Sequence, residues 1–459
     1  MMDSKISLKT LLSVIAAGIM SFSGVVIETS MNITFPTLMH DFNVGTSTVQ
    51  WMTTIYLLIV SIVVPLSAIL NRNFKTKQLF IVANLLFILG VVCDLCAPTF
   101  TVLLLGRVIQ GFGTGIALPL MFNIILDQVP AEKLGVMMGV GNLITAVAPA
   151  VGPTFGGFIV STIGWRYIFA ILLPVLVISL LLGVLNIEQK REIKKTRLDF
   201  VGLILIVITF IGLVFGFSNM SSGNILNALV LLPIIVGIIA LITLYKHCVN
   251  SKNAILDLSV LQNHKFSGHV ISFFIIQFIT LGLSFILPNY VQLVNHSSAF
   301  IAGLLVLPGA IVGALFAPVS GSLYDKFGAY KPIAFGMSFG MIGMILFTIF
   351  GTHLSNAMIL GFYIIFMLCI GLSFGNIMTS GLSNLNNNQR TDGNAVFNTT
   401  QQIAGAIGTS VTSAIITISQ LSSGNEETGT AVGSLHALIL LLALIVIASL
   451  ILNSVVKRK

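Results

Sequence analysis

The sequence predicts an all-α integral membrane protein of fourteen transmembrane helices: two six-helix bundles and two extra helices between them. Three observations lead there. Of 459 residues, 56% are hydrophobic and only 8% are charged, whereas a soluble globular domain carries about 25% charged residues. Length alone would admit several soluble domains, and the charge deficit excludes them. Apolar segments of about 20 residues, the length needed to cross the hydrocarbon of a bilayer, recur fourteen times. Lysine and arginine fall almost wholly on one side of the alternation that these segments define, as the positive-inside rule requires.

The segments run approximately over 10–37, 47–70, 78–97, 99–126, 135–160, 166–187, 199–218, 225–246, 267–294, 299–323, 331–351, 356–384, 393–419 and 432–455. With the N-terminus placed in the cytoplasm, 20 of the 22 basic residues lie in cytoplasmic loops or termini, Arg166 lies outside and Arg107 lies within a span. Both termini are therefore expected to be cytoplasmic. The net charge of +8 would point to nucleic acid in a soluble chain. Here it reflects orientation, and no nucleic-acid partner is expected. The first segment is too long for a cleavable signal peptide and carries an acid.

Span 1 holds the most informative residue. Glu28 follows at least a dozen mostly apolar residues, and a carboxylate in hydrocarbon costs several kcal/mol or more, depending on the scale. Such a residue reads as a functional site. At 1.5 Å per residue it lies about 13 Å from the outer end of the helix. Span 3 ends in Cys93-Asp94-Leu95-Cys96. Without a second cysteine pair or a histidine cluster, this is two ordinary thiols rather than a metal or redox site. Asp94 reads as a solvated rim residue or, alternatively, as a second coupling acid. Span 4 contains Arg107 about 12 Å from the outer end, at the depth of Glu28. The two could form a static salt bridge, or a switch in which burial and the Arg charge act oppositely on the carboxyl.

Span 5 reads Ala148-Pro149-Ala150-Val151-Gly152-Pro153-Thr154-Phe155-Gly156-Gly157. Two prolines remove backbone hydrogen bonds and the glycines admit close neighbours, so a bendable, tightly packed helix at the interface between halves is expected. A charged linker, Glu188 to Asp199, then precedes two spans with few interior polar residues, which read as peripheral. The resulting plan is an N-terminal bundle over 1–190, two spacer spans over 191–250 and a C-terminal bundle over 251–459. The loop Gly321 to Lys331, with Asp325 and Gly328, matches in position and basic character the first-half loop Ser67 to Lys77, which has Asn71 and Phe74 instead of Asp and Gly. Two halves with matching loops are the trace of a two-fold transporter repeat.

Uncharged polar and aromatic residues in the spans are candidates for a substrate cavity: Asn32, Trp51, Tyr56, Asn142, Gln277, Tyr290 and Asn376, with Gln50, Asn289, Asn398, Gln401 and Gln402. Each could equally bond helix to helix. A largely apolar chamber with an acid suits lipophilic, often cationic compounds. No nucleotide-binding, H-E-x-x-H or G-x-S-x-G motif is present, so an enzyme or an ATP-driven pump is not expected. A membrane sensor would need an output domain, and no cytoplasmic loop exceeds about 20 residues by the span boundaries above.

Together these motifs resemble the fourteen-span drug:proton antiporters of the major facilitator superfamily, the EmrB/QacA type, and within it the lincomycin-resistance-like branch. Leu105-Gly106-Arg107-Val108-Ile109-Gln110-Gly111-Phe112-Gly113 is similar to the family's span-4 motif. Gly152-Pro153, Gly156-Gly157 and the following Trp165-Arg166-Tyr167 are similar to its exporter-specific span-5 motif, and the Gly321 to Lys331 loop to its gating loop. The first-span pattern is shifted: aligned on Asn32 and Pro36, Ile27 takes the usual acid position and Glu28 follows it. This turns the carboxylate about 100° round the helix. The resemblance implies the major facilitator fold, efflux of lipophilic drugs and antibiotics across a bacterial cytoplasmic membrane, and proton coupling through Glu28 and Arg107. It implies conformational roles for Gly152, Pro153, Gly156, Gly157, Gly321, Asp325 and Gly328, the proton gradient rather than a cofactor as energy source, and function as a monomer in contact with membrane lipid. The alternative is an exporter dedicated to a single lipid, metabolite or antibiotic class.

Overall fold

The computed structural model describes residues 6–44, 46–191, 193, 199–220, 227–251, 254–297 and 299–456. The helices begin where the sequence supplies caps. Ser7 opens α1 (Leu8–Ile33) by accepting from the Thr10 N–H, Thr99 opens α5 (Phe100–Gln128), and Asn227 opens α9 (Ala228–Asn250). Asn263, Ser355 and Asn425 do the same for α10 (His264–Leu293), α13 (Asn356–Cys369) and α16 (Glu426–Val455). Each cap satisfies an N–H that has no partner within its helix.

Span 1 is shorter than the 10–37 expected. It stops at Ile33, and a separate short helix α2 (Phe35–Phe42) follows. Pro36 falls in the first turn of that helix, where a missing N–H costs nothing, whereas within a continuous span it would break the hydrogen-bond ladder.

The remaining helices are α3 (Thr46–Asn73), α4 (Thr76–Leu95), α6 (Leu134–Thr162), α7 (Arg166–Asn186), α8 (Phe200–Met220), α11 (Ala299–Phe327), α12 (Tyr330–Ile349), α14 (Gly375–Ser383) and α15 (Arg390–Ser423). A five-residue π turn, Ile370–Phe374, joins α13 to α14 in one span. Thirteen segments among the described residues are single helices long and apolar enough to cross a membrane. The two arms of α6, Leu134–Pro149 and Thr154–Thr162, bent by 41°, make the fourteenth. The bend falls on the expected Pro/Gly stretch.

Helices α1 and α3–α7 pack into one bundle and α10–α16 into the other, while α8 and α9 pair with each other. The bundles meet in a crossed pattern. The fifth span of the first half, α6, packs on the second span of the second half, α11, and the fifth span of the second half, α15, packs on α3. This exchange is what a two-fold repeat produces. The spacer helix α8 leans on both α3 and α15, one helix from each half.

Candidate functional site

Within the first bundle a polar centre forms where α1, α3, α4 and α5 meet. Arg107 on α5 is fully buried. Its Nη1 donates to Gln110 Oε1 at 2.6 Å, its Nε donates to the Met52 carbonyl at 3.4 Å, and its guanidinium carbon lies 4.3 Å from the centre of the Tyr56 ring. Gln110, one turn on, donates from Nε2 to Asp94 Oδ2 at 2.8 Å. Tyr56 is fully buried and donates its hydroxyl to the Gly24 carbonyl and Thr114 Oγ1, at 3.1 and 2.9 Å.

Asp94 is not at a solvated rim. It is 0% exposed, turned into the bundle against α5. Gly106 makes this possible: a Cβ there would overlap Asp94 Oδ1, and a Cβ at Gly90 would lie 2.7 Å from the Gly106 carbonyl. The small residue beside Arg107 thus lets α4 and α5 approach until an acid reaches the Arg–Gln pair.

Glu28 is half-buried on α1 and lies in the electrostatic reach of both Arg107 and Tyr56. It forms no ion pair or hydrogen bond with another described residue. The direct Glu28–Arg107 pair anticipated from matching depth is therefore not made in this conformation. Arg107 is tethered instead through Gln110 to Asp94. Sequence reasoning missed Gln110, although its place three residues after Arg107, on the same helix face, was the available signal.

The span-5 motif packs directly behind Glu28. A Cβ at Gly152 would overlap Thr29 Oγ1, one at Gly156 would sit 2.8 Å from the Ser30 backbone, and Ser30 Oγ donates to the Gly152 carbonyl at 2.7 Å. Gly157 is half-buried, and the Pro153 side chain lies outside the described residues. Gly152 and Gly156 face α1 of their own bundle. The part of α6 that faces the other half lies nearer the basic end. A Cβ at Gly139 would stand 2.6 Å from the Ala317 carbonyl, and one at Gly321 would overlap the Gly135 carbonyl.

That basic end is closed. Asp325 Oδ1 and Oδ2 accept the N–H groups of Gly135 and Val136 at 3.1 and 3.2 Å, capping α6 from the opposite half, and Gly328 turns the chain at φ +77°. At the related position of the first half, Arg72, which follows Asn71, pairs with both oxygens of Asp392 in the first turn of α15. Arg191 donates to Thr391 Oγ1 at 3.0 Å and to the Asn71 carbonyl, and Asp392 also accepts the Asp257 N–H at 3.1 Å. Asn394 donates to Asn123 Oδ1 at 2.8 Å and to the Pro119 carbonyl at 3.1 Å. In the sequence Arg72 reads only as one of the many loop charges, because its partner lies 320 positions away.

The proposed cavity residues lie on several helices of both bundles. Tyr290 is fully buried and its hydroxyl accepts the Leu354 N–H. Asn376 is buried and donates to Ser320 and the Leu372 carbonyl. Asn142 is buried against Gly375 and donates to the Met138 carbonyl at 2.7 Å. Tyr56 and Asn376 spend their polar groups joining helices, Asn142 bonds within its own helix, and Tyr290 lines a cavity of about 580 Å³ with Asn295, His353 and Glu427. Trp51 is 42% exposed, with its ring 6.3 Å from Phe215 of the spacer helix α8. Gln277 is half-buried on α10, and the Asn32 side chain lies outside the described residues. Among the described residues no cluster of three or more His, Cys, Asp or Glu could hold a metal ion.

Residues 14–409 match the Major Facilitator Superfamily. The chain is 36% identical over 416 residues to "Lincomycin resistance protein LmrB" of Bacillus subtilis, covering 89% of this chain and 85% of that one. It is 27% identical over 395 residues to "Multidrug resistance protein B homolog" of Mycobacterium tuberculosis, covering 85% and 73%. Among solved structures, a double tryptophan mutant of XylE superposes with a TM-score of 0.70 at 16% identity, covering 98% of this chain and 95% of that one.

Proposed function

This chain belongs to the Major Facilitator Superfamily, and we propose that it is a proton-coupled exporter of lipophilic, often cationic drugs and antibiotics, with the basic end facing the cytoplasm. The observation that carries the reading is Glu28: a carboxyl within a membrane span, without an ion-pair partner among the described residues, beside an Arg that is anchored elsewhere. A carboxyl so placed can take a proton or a cation in turn, because its charge is costly when alone in hydrocarbon and is offset when a cation arrives. Similarity to the lincomycin and multidrug resistance proteins supports efflux as the direction and antibiotics as a substrate class.

In the proposed cycle, Glu28 is protonated from outside while the basic end is closed. Closure of the outer side and opening of the basic end bring it to the cytoplasm, where proton loss favours binding of a cationic substrate. The test is drug-dependent proton movement in proteoliposomes with an imposed proton gradient. Wild type is expected to move protons against drug, and Glu28→Gln to lose gradient-driven export. Export by Glu28→Gln equal to wild type refutes the coupling role. Transport of a single compound class from a panel of lipophilic cations, lincosamides and lipids would replace multidrug export by dedicated export.

A further inference from the structure

We infer that Asp94 and Gln110 form a tether that holds Arg107 away from Glu28 in the conformation closed at the basic end, making both of them positioning residues for the coupling site. The inference rests on the coupling reading of Glu28 and deepens it. Asp94, Gln110 and Arg107 are each 0% exposed. They form an unbroken chain, Asp94 Oδ2 to Gln110 Nε2 at 2.8 Å and Gln110 Oε1 to Arg107 Nη1 at 2.6 Å. The amide is oriented by this chain: only with its NH2 toward the carboxylate and its oxygen toward the guanidinium do both bonds form.

Arg107 is thus linked through Gln110 to the Asp94 carboxyl, on the α4 side of α5. Glu28 approaches from α1, on the side marked by Tyr56 and Thr114. Among the described residues, the titratable and charged side chains facing Glu28 from the elements packed on α1 are Arg107 of α5 and Tyr56 of α3. Its nearest surroundings on α6, around Gly152 and Gly156, bring no charge. The guanidinium is therefore the group that can decide when Glu28 ionises. While tethered, it leaves Glu28 able to hold a proton. Once released, it would favour the ionised form of Glu28. Nη2 of Arg107 and Oδ1 of Asp94 carry no hydrogen bond, so the guanidinium retains a donor for a second acceptor when it turns.

The experiment follows the carboxyl stretch of Glu28 by infrared difference spectroscopy across pH 5 to 9 on the purified full-length protein. The band is identified by its loss in Glu28→Gln. Asp94→Asn, Gln110→Met and the double variant are compared with wild type. Each single change is expected to move the Glu28 midpoint to lower pH by about one unit, the size of a nearby-charge effect. The double variant is expected to shift no further than the larger single one, because both cut the same chain. A through-space effect of Asp94 alone would add to that of Gln110→Met, and additive shifts overturn the tether. Unshifted midpoints in folded variants overturn it as well. Should Asp94→Asn not fold, Gln110→Met alone decides: an unchanged midpoint refutes the inference. A wild-type Glu28 that never titrates in this range refutes the coupling reading itself and this inference with it.

Discussion

At the residue scale, one glycine explains why an acid can stand beside Arg107 inside the bilayer. Gly106 leaves room for Asp94, and a methyl group there would overlap the carboxylate. Gly106→Ala is expected to separate α4 from α5 at an overpacking cost of about 1–3 kcal/mol, read as a lower thermal midpoint of the purified protein. Gly361→Ala is the control, since nothing lies within 4 Å of its added carbon, and inside a helix Ala outperforms Gly by about 1 kcal/mol. A Gly106→Ala protein as stable as that control would mean that α4 yields freely. The residues legible in the sequence were the costly ones. Glu28 and Arg107 stand out because a charge in hydrocarbon demands a reason. Gln110 did not, because an amide in a span is common glue, and its importance comes only from what stands on its two sides. Asp94 was misplaced because position along a helix gives depth, whereas burial depends on which way the side chain turns.

At the element scale, the prolines and glycines of α6 announce that it bends and packs tightly, but not against what. The prolines and glycines around 149–157 mark the 41° bend, and the partner at Gly152 and Gly156 is α1, at the two residues after Glu28. The motif assigned to conformational change therefore touches the backbone that carries the proposed coupling acid. Gly156→Ala meets Ser30 backbone atoms at 2.8 Å, which cannot swing aside as a side-chain end can. The substitution is expected to displace α1 locally and to lower drug-driven proton exchange more than it lowers the thermal midpoint. The opposite pattern, full exchange with a large loss of stability, would make the contact a packing feature only. The short helix α2 shows the same limit from another side. Pro36 signalled a boundary, and hydrophobicity alone, continuing through Phe35 and Leu38, concealed it.

At the scale of the whole molecule, the repeat is recognisable in sequence, while the way its two copies diverged is visible only in the fold. Each half presents the end of its second helix to the start of the other half's fifth helix. On one side Asp325 caps α6 by accepting backbone N–H groups, and on the other Arg72 reaches a carboxylate, Asp392, that α15 itself supplies. Asn71 marks the exchange: it stands where the second copy has its acid, is 2% exposed, and neither side-chain atom of its amide has a partner. A charge-to-backbone lock has thus been replaced by a charge-to-charge lock across the same interface. The two differ in what removal leaves behind. Losing Asp325 exposes N–H groups that water can reach, since Val136 and Asp325 meet at an exposed position. Losing Arg72 takes from Asp392 its ion-pair partner and leaves Arg191 as the nearby cation; the Asp392 side chain is 2% exposed and the Arg72 side chain 25%. Breaking a buried pair costs about 3–5 kcal/mol, with the lower end fitting a partly exposed Arg that leaves the Asp257 N–H in place. Arg72→Ala is therefore expected to open the basic end more than Asp325→Ala does. Spin labels at Lys133 and Lys326, exposed on opposite halves there, would report this as a longer and broader distance distribution for Arg72→Ala. Equal distributions for Arg72→Ala and wild type would leave the small-residue contact of Gly135, Gly139 and Gly321 as the element that holds the basic end shut.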